Sequence, residues 1–226
     1  MKYLLFLLLI FCAACTKPEI EQPPNKITVN TGSAKILNKK PLKPIDTIIV
    51  KKPYTLHDAD GNIYDSVIIG SQVWILENLK TTKYNDGSPI SNITDNGVWK
   101  VLLTPGMCSY NNGALYNWYA VNTGKLCPTG WHVPSDNDWK TLELFLGMNP
   151  NEADSTAWRG SGIATILESN IFKGIFTGFR SGWYSTYDDY GQGVYWWSST
   201  AIDGTTAYAR TLFVNYPGIY LSLIHI

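Results

Sequence analysis

All nine tryptophans of this 226-residue chain lie beyond Tyr54, and the stretch from Thr16 to Pro53 contains no aromatic residue. A folded core needs large apolar side chains, so the stretch before residue 54 has little with which to build one. That stretch carries six of the twelve prolines and eight lysines against three acids, the composition of a semi-rigid, solvated spacer. In polyproline-like geometry, at about 3.1 Å per residue, it reaches on the order of 100 Å. From Tyr54 onward the balance reverses to nine Lys/Arg against fifteen Asp/Glu. The formal net charge of the whole chain is zero, which removes the uniform positive field of a nucleic-acid binder, so nucleic acid is not an expected partner. The aromatics, 13% of the chain, have two uses: a Trp-built core, or a surface on which sugars or peptides stack.

Before the spacer, Lys2 supplies one positive charge and Tyr3 to Ala14 is an uncharged run of twelve residues. That is too short to span a bilayer and the right length for the apolar part of a signal peptide. The run ends Cys12-Ala13-Ala14-Cys15, two small residues before a cysteine, and this resembles the bacterial lipobox, with Cys12 where the lipobox usually has Leu. The resemblance implies that residues 1–14 are a lipoprotein signal peptide and that Cys15 is the lipid-bearing first residue of the mature chain. Residues 15–53 are then a lipidated Pro/Lys-rich tether, and the membrane is a partner through the lipid. Firm anchoring takes more than one acyl chain, which this modification supplies. Thr16, rather than Asp, after the cysteine points by the same resemblance to an outer-membrane lipoprotein, periplasmic or surface-exposed.

Strand signals dominate the remainder. Asn62 to Ile69 and Gln72 to Leu76, separated by Gly70-Ser71, read as a hairpin; Lys173 to Arg180, Val194 to Ser198 and Thr206 to Asn215 are rich in β-branched and aromatic residues. Turns are expected at Asn85-Asp86-Gly87 and Asp203-Gly204. One helix is well marked: Ser135 caps it, Asp138 stands three residues later, Trp139, Leu142, Phe145 and Leu146 form one face, and Gly147 stops it. A second short helix is expected across Ala114 to Val121. The class is α+β, with many short strands and two short helices.

Five segments occur in order: DADGNIY at 58–64, IGSQVWILENL at 69–79, GALYNW at 113–118, LCPTGWHVPS at 126–135 and YWWSST at 195–200. Together they resemble the Fibrobacter succinogenes major paralogous domain, over about residues 54–220. The family has no established biochemical activity, so the resemblance names the domain without supplying a reaction. The segment from Gly130 to Trp139, followed by Trp196 to Thr200, is also similar to elements of formylglycine-generating enzymes. That similarity implies a C-type-lectin-like architecture. Those enzymes use a redox-active cysteine pair late in the chain, and nothing after Cys127 is cysteine here, so their oxidase chemistry is not expected.

Other chemistries find little support. Asp58, Asp60 and Asn62 occupy the first, third and fifth places of an EF-hand-like loop, but Ile63 stands where Gly is needed and Ile69 where Glu is needed. A hairpin turn explains them more simply. His57, His132 and His225 have no metal-ligand spacing, no nucleophile elbow or phosphate loop occurs, and Asp188-Asp189 reads as a solvated loop. No catalytic residue, metal or cofactor is therefore expected, and the chain is not read as an enzyme. Trp183, Tyr184 and Tyr187, in Gly/Ser/Asp-rich sequence, are the candidate ligand-binding residues, able to stack on a sugar ring if they are not packed on their own loops. His132 is expected to be a structural hydrogen-bonder.

The last six residues, Leu221 to Ile226, correspond to a transposon end sequence used as a sequencing adapter. They are expected to be a translated artefact, with a final strand missing and the end frayed. Family members usually continue through a strand bearing Arg-Cys-Val/Ile. In an exported protein Cys108 and Cys127 are disulfide candidates, and the loop they close stabilises by roughly 3 kcal/mol. They pair either with each other or with a cysteine of the missing strand. The expected function is that of a lipid-anchored extracytoplasmic binding or adhesion domain for a glycan or surface protein. The alternatives are an envelope structural lipoprotein or an enzyme acting on surface polysaccharide.

Overall fold

The computed structural model describes residues 9–10 (backbone path only), 13–17, 54–111, 113–168, 172, 176–182 and 186–226. The hairpin expected around Gly70-Ser71 is present as β4 (Ile63–Ile69) and β5 (Gln72–Ile75), in antiparallel register with Ile69 opposite Gln72. Gly70 sits at φ +62°, where a Cβ would come 2.9 Å from the Phe145 ring, so glycine both permits the turn and lets a helix pack over it. On its other edge β4 pairs with β3 (Thr55–His57) across a tight loop. Asp58 organises that loop, its carboxylate accepting from the Asp60 and Asn62 amides and from the Tyr64 hydroxyl. The Asp-Gly-Asn segment is thus a hairpin turn.

The largest sheet has the order β11 (Gly193–Ala201), β12 (Thr206–Phe213), β13 (Ile219–His225), β8 (Ala157–Arg159), all antiparallel. Trp196 and Trp197 are consecutive on β11 and point to opposite faces, and both are buried because a core lies on each side. On one side Trp196 meets Trp139 and Phe172, and Trp139 meets Trp74, at ring separations of 4.9 to 5.7 Å. On the other, Trp197 packs with Tyr64, Tyr116, Leu126, Ala207 and Ala209, and donates its indole N–H to the Tyr116 carbonyl. Six tryptophans are buried, so the aromatic composition mainly builds the interior.

The helix expected at Ser135 is α3 (Asp136–Phe145), with a complete Ser135/Asp138 capping box. His132 hydrogen-bonds the same Asp138 carboxylate at 3.1 Å. Trp139 and Leu142 face the first core, while Asp136, Lys140 and Glu143 follow a neighbouring stripe of α3. Glu143, wholly buried, accepts from Arg210 Nε at 2.7 Å and from Arg159 Nη1 at 2.6 Å; Asp136 accepts from Arg210 Nη2 at 2.7 Å and from Lys140 at 2.7 Å. Burial alone raises the Asp136 pKa, and the bonds from Lys140 and Arg210 outweigh it, so the carboxyl lies below its usual value.

Several expectations need correction. The residues read as one helix from Ala114 to Val121 divide into a strand, β7 (Gly113–Tyr116), and a one-turn helix, α2 (Trp118–Val121). Pairing with β6 (Met107–Tyr110) claims the first half, and Asn117, whose side chain accepts from the Ala120 amide, starts the helix after it. Two further short helices, α1 (Asn96–Lys100) and α4 (Ile163–Ile166), raise the described α-helices to four. The run from Lys173 yields only β9 (Phe179–Ser181) among described residues, flanked by β1 (Leu9–Ile10) and β10 (Tyr187–Asp188). The C-terminal residues do not fray: Leu221 to His225 continue β13, each opposite a β12 residue. Backbone pairing with β12 carries the strand through them, with Leu221 buried and Leu223 exposed.

The cysteines also differ from expectation. Cys127 is bonded to Cys15, not to Cys108, which is a buried free thiol. Cys108 and Cys127 face different cores: Cys108 packs with the first, beside Tyr187 and Arg180, and Cys127 lies in the second. Ala13 to Cys15 are buried, and β2 (Thr16–Lys17) pairs with the β5 edge, Thr16 opposite Trp74. A sulfur in a disulfide cannot carry a thioether, so in this conformation Cys15 bears no lipid.

Two outcomes follow from the charges of α3. Glu143→Ala leaves the buried Arg159 guanidinium without a carboxylate and takes one of two from Arg210, and lowers the unfolding free energy by about 3–5 kcal/mol, read by urea titration. Burial raises the Asp138 pKa, but the bonds from His132 and Ser135 bring it down to about 2. A depressed folded pKa stabilises above the unfolded value, so this contribution is full above about pH 4 and is lost as pH falls toward 2. Thermal melts of Asp138→Asn between pH 2 and 6 show a shallower acid dependence than the parent.

Candidate functional site

The turn expected at Asn85-Asp86-Gly87 is held from both ends. Tyr84 N–H donates to the Ser88 carbonyl at 2.8 Å, Gly87 N–H to the Tyr84 carbonyl at 2.9 Å, and Asp86 accepts from the Ser88 amide at 2.9 Å. A second segment, Thr123 to Lys125, leaves the end of α2, and Asn85 N–H donates to the Lys125 carbonyl at 2.9 Å. Across the gap Lys125 Nζ reaches Asp86 Oδ2 at 2.9 Å. A third segment, Thr104-Pro105, is secured by Asn117, which caps α2 and donates from Nδ2 to the Thr104 carbonyl at 2.8 Å. Met107 N–H bonds the Ser91 carbonyl at 2.9 Å and brings the first and third segments together.

These segments enclose a solvent-open pocket of about 420 Å³ lined by Tyr84, Ser88, Pro89, Ser91, Thr104, Pro105, Thr123 and Lys125. Its volume falls in the range of about 300–1,000 Å³ common for small-ligand sites. The Tyr84 hydroxyl is buried and makes no hydrogen bond among the described residues. Burial, and then the Asp86 charge, raise its pKa, so it is a neutral donor and acceptor at physiological pH. The Ser88 hydroxyl and then Lys125 hold the Asp86 carboxyl well below its usual value, so Asp86 is ionised. The lining thus offers an ammonium, several hydroxyls and two prolyl rings, with a carboxylate behind Ser88 and Lys125. Such a set is chemically suited to bonding hydroxyl groups and to packing against apolar ring faces. Among the described residues no group of three or more His, Cys, Asp or Glu is placed to hold a metal ion.

The residues singled out from sequence lie elsewhere. Trp183 and Tyr184 fall outside the described residues. Tyr187 stacks on Tyr110 with ring centroids 4.0 Å apart, lies near the Arg180 guanidinium and contacts the Cys108 thiol. Burial, and then the Cys108 bond, push its hydroxyl up to about 12. Arg180 itself is spent on the Ile93 and Thr94 carbonyls and on Asn96, so this cluster ties loops together. Asp188, the last residue of β10, accepts from the Thr186 hydroxyl, and Asp189 accepts from Tyr195 on β11, so both adjacent acids are engaged by neighbouring side chains rather than by solvent alone.

Among the described residues, exposed aromatics that sequence reasoning missed include Trp158 and Tyr216. Their rings lie 3.9 Å apart, with Tyr220 and Phe213 5.1 and 6.1 Å from Trp158. Register explains the patch, because Tyr220 stands opposite Trp158 on one face at the open end of the large sheet. Nor does sequence join Tyr84, Thr104 and Lys125; the only signal was the Asn-Asp-Gly turn beside Tyr84.

No curated protein and no solved structure matches the chain. The family model described as the Fibrobacter succinogenes major domain matches residues 67–222, from within β4 to within β13, and so includes all three walls of the pocket and most of both cores. This chain belongs to the Fibrobacter succinogenes major domain family.

Proposed function

We propose that this protein is an extracytoplasmic, lipid-tethered binding module that takes a saccharide in the pocket at Tyr84. The observation that carries the reading is the open pocket itself, whose lining sets Ser88, Ser91, Thr104 and Thr123 beside the Asp86–Lys125 pair. The tether and anchor rest on the lipobox-like residues before Cys15 and on the Pro/Lys-rich stretch after it. Anchoring at the outer membrane needs Cys15 outside its disulfide. We also propose a C-type-lectin-like arrangement, supported by the many short strands, the few short helices and the Gly130–Trp139 segment that contains the α3 cap.

A surface protein is the second reading of the ligand, favoured by the exposed Trp158 and Tyr216 with Tyr220 and Phe213 beside them. Aromatic clusters of this kind are enriched at the centres of protein interfaces.

A glycan array probed with the full chain, followed by calorimetry on the best saccharide, tests the first reading. Thr104→Val keeps the melting temperature and weakens binding by roughly 3–10-fold, the worth of one neutral hydrogen bond. Lys125→Ala weakens it as well, whereas Trp158→Ala leaves it unchanged. Binding lost in Trp158→Ala and kept in Thr104→Val and Lys125→Ala transfers the site to the aromatic patch. No binding to saccharides or to envelope proteins favours a structural envelope role.

A further inference from the structure

Residues 13–17 are held as an internal strand. The Ala13 carbonyl accepts from Leu79 N–H at 2.9 Å and the Cys15 carbonyl from Ile75 N–H at 3.1 Å. On the other side Thr16 and His132 exchange backbone bonds of 2.9 Å each way, and the Thr16 hydroxyl donates to the Val73 carbonyl at 2.9 Å. Ala13, Ala14 and Cys15 are 0, 2 and 0% exposed, and Cys15 is bonded to Cys127. The seat admits small side chains, strand hydrogen bonds and one sulfur opposite Cys127.

The bond between Ala14 and Cys15 is the one a signal peptidase must reach, and a protease needs its substrate backbone free. Here the carbonyls on both sides of that bond are spent on β5 and the loop after it. We propose that the chain has two mutually exclusive fates decided at the Cys15 sulfur: a strapped form, disulfide-bonded to Cys127 and retaining residues 1–14, and a processed, acylated form with the seat vacated. The proposal rests on the reading of Cys15 as the lipid site.

Both chemical steps consume the same thiol. In the first, the Cys15 and Cys127 thiols lose two electrons and two protons to a disulfide-bearing envelope oxidant, whose disulfide becomes two thiols as the Cys15–Cys127 bond forms. In the second, the Cys15 sulfur loses its proton and bonds a glyceryl carbon of a phospholipid, and the phosphate-bearing headgroup leaves. Whichever step comes first removes the substrate of the other.

The test expresses the full chain in an exporting bacterial host, separates acylated from unacylated chains, and analyses both by intact mass and non-reducing peptide mapping. The expected result is a peptide linking Cys15 to Cys127 in unacylated chains that retain residues 1–14 and its absence from acylated ones. Cys127→Ser raises the acylated share, and Cys108→Ser does not. Adding a membrane-permeant thiol reductant to cells making the unmodified chain produces the same rise without relying on the variant's folding. Acylated chains with no linked peptide in the unacylated pool, or an acylated share unmoved by both Cys127→Ser and reductant, overturn the proposal. A linked peptide with no acyl mass in any sample overturns it differently, by removing the lipid reading on which it rests.

Discussion

The buried carboxylate of Glu143 is the point on which the architecture turns. It lies on α3 and accepts from Arg210 on β12 and Arg159 on β8, so one side chain ties the helix to two strands of the large sheet. Each guanidinium would be costly to bury alone, and the carboxylate would be costly without them. The bonded geometry therefore constrains how the helix sits across the sheet. The Trp74, Trp139 and Trp196 rings pack beneath the helix at that setting. Apolar burial supplies most of the driving force and little direction, while the ion network supplies direction.

With that face closed, the opposite face of the sheet builds a separate core around Trp197 and Tyr116. The division explains the cysteines. Cys108 lies on the side of Arg180 and Tyr187, in surroundings that raise its thiol pKa through burial, whereas Cys127 lies on the side where residues 13–17 enter. In the chain-entropy model a bridge spanning 112 residues of sequence stabilises by about 4–5 kcal/mol. Its location thus ties the N-terminal segment to the fold far more strongly than two short strand pairings do.

The pocket belongs to the connections outside these cores. Asn117 caps α2 and anchors Thr104, the turn at Asp86 is tied to Lys125, and the β6 entry bonds Ser91. Each wall is a loop whose backbone is committed to a neighbouring loop, which makes the pocket a preformed feature. Its polar lining and the apolar patch at Trp158 lie on different segments, so the glycan and protein readings refer to separate surfaces.

Local patterns were legible wherever the physics is local. The Ser135/Asp138 cap, the β4–β5 hairpin at Gly70-Ser71, the Asp58 turn and the two long strands of the large sheet follow from capping chemistry, turn residues and side-chain alternation, all read within a few positions. Family membership was legible for a similar reason: five segments in fixed order survive as a linear signature. Other decisions were not local. Whether Ala114 to Tyr116 coil or extend depended on pairing with β6, and the partner of Cys127 depended on which core it faced. Whether Tyr187 stands free or packs on its own loops was open from its Gly/Ser/Asp-rich context, and Tyr110 across its ring decided it. By itself the sequence determined the α+β class, the position of the principal helix and the family. The tertiary structure decided the disulfide, the second core and the pocket, because each requires groups distant in the chain to meet, and side-chain periodicity does not encode that meeting.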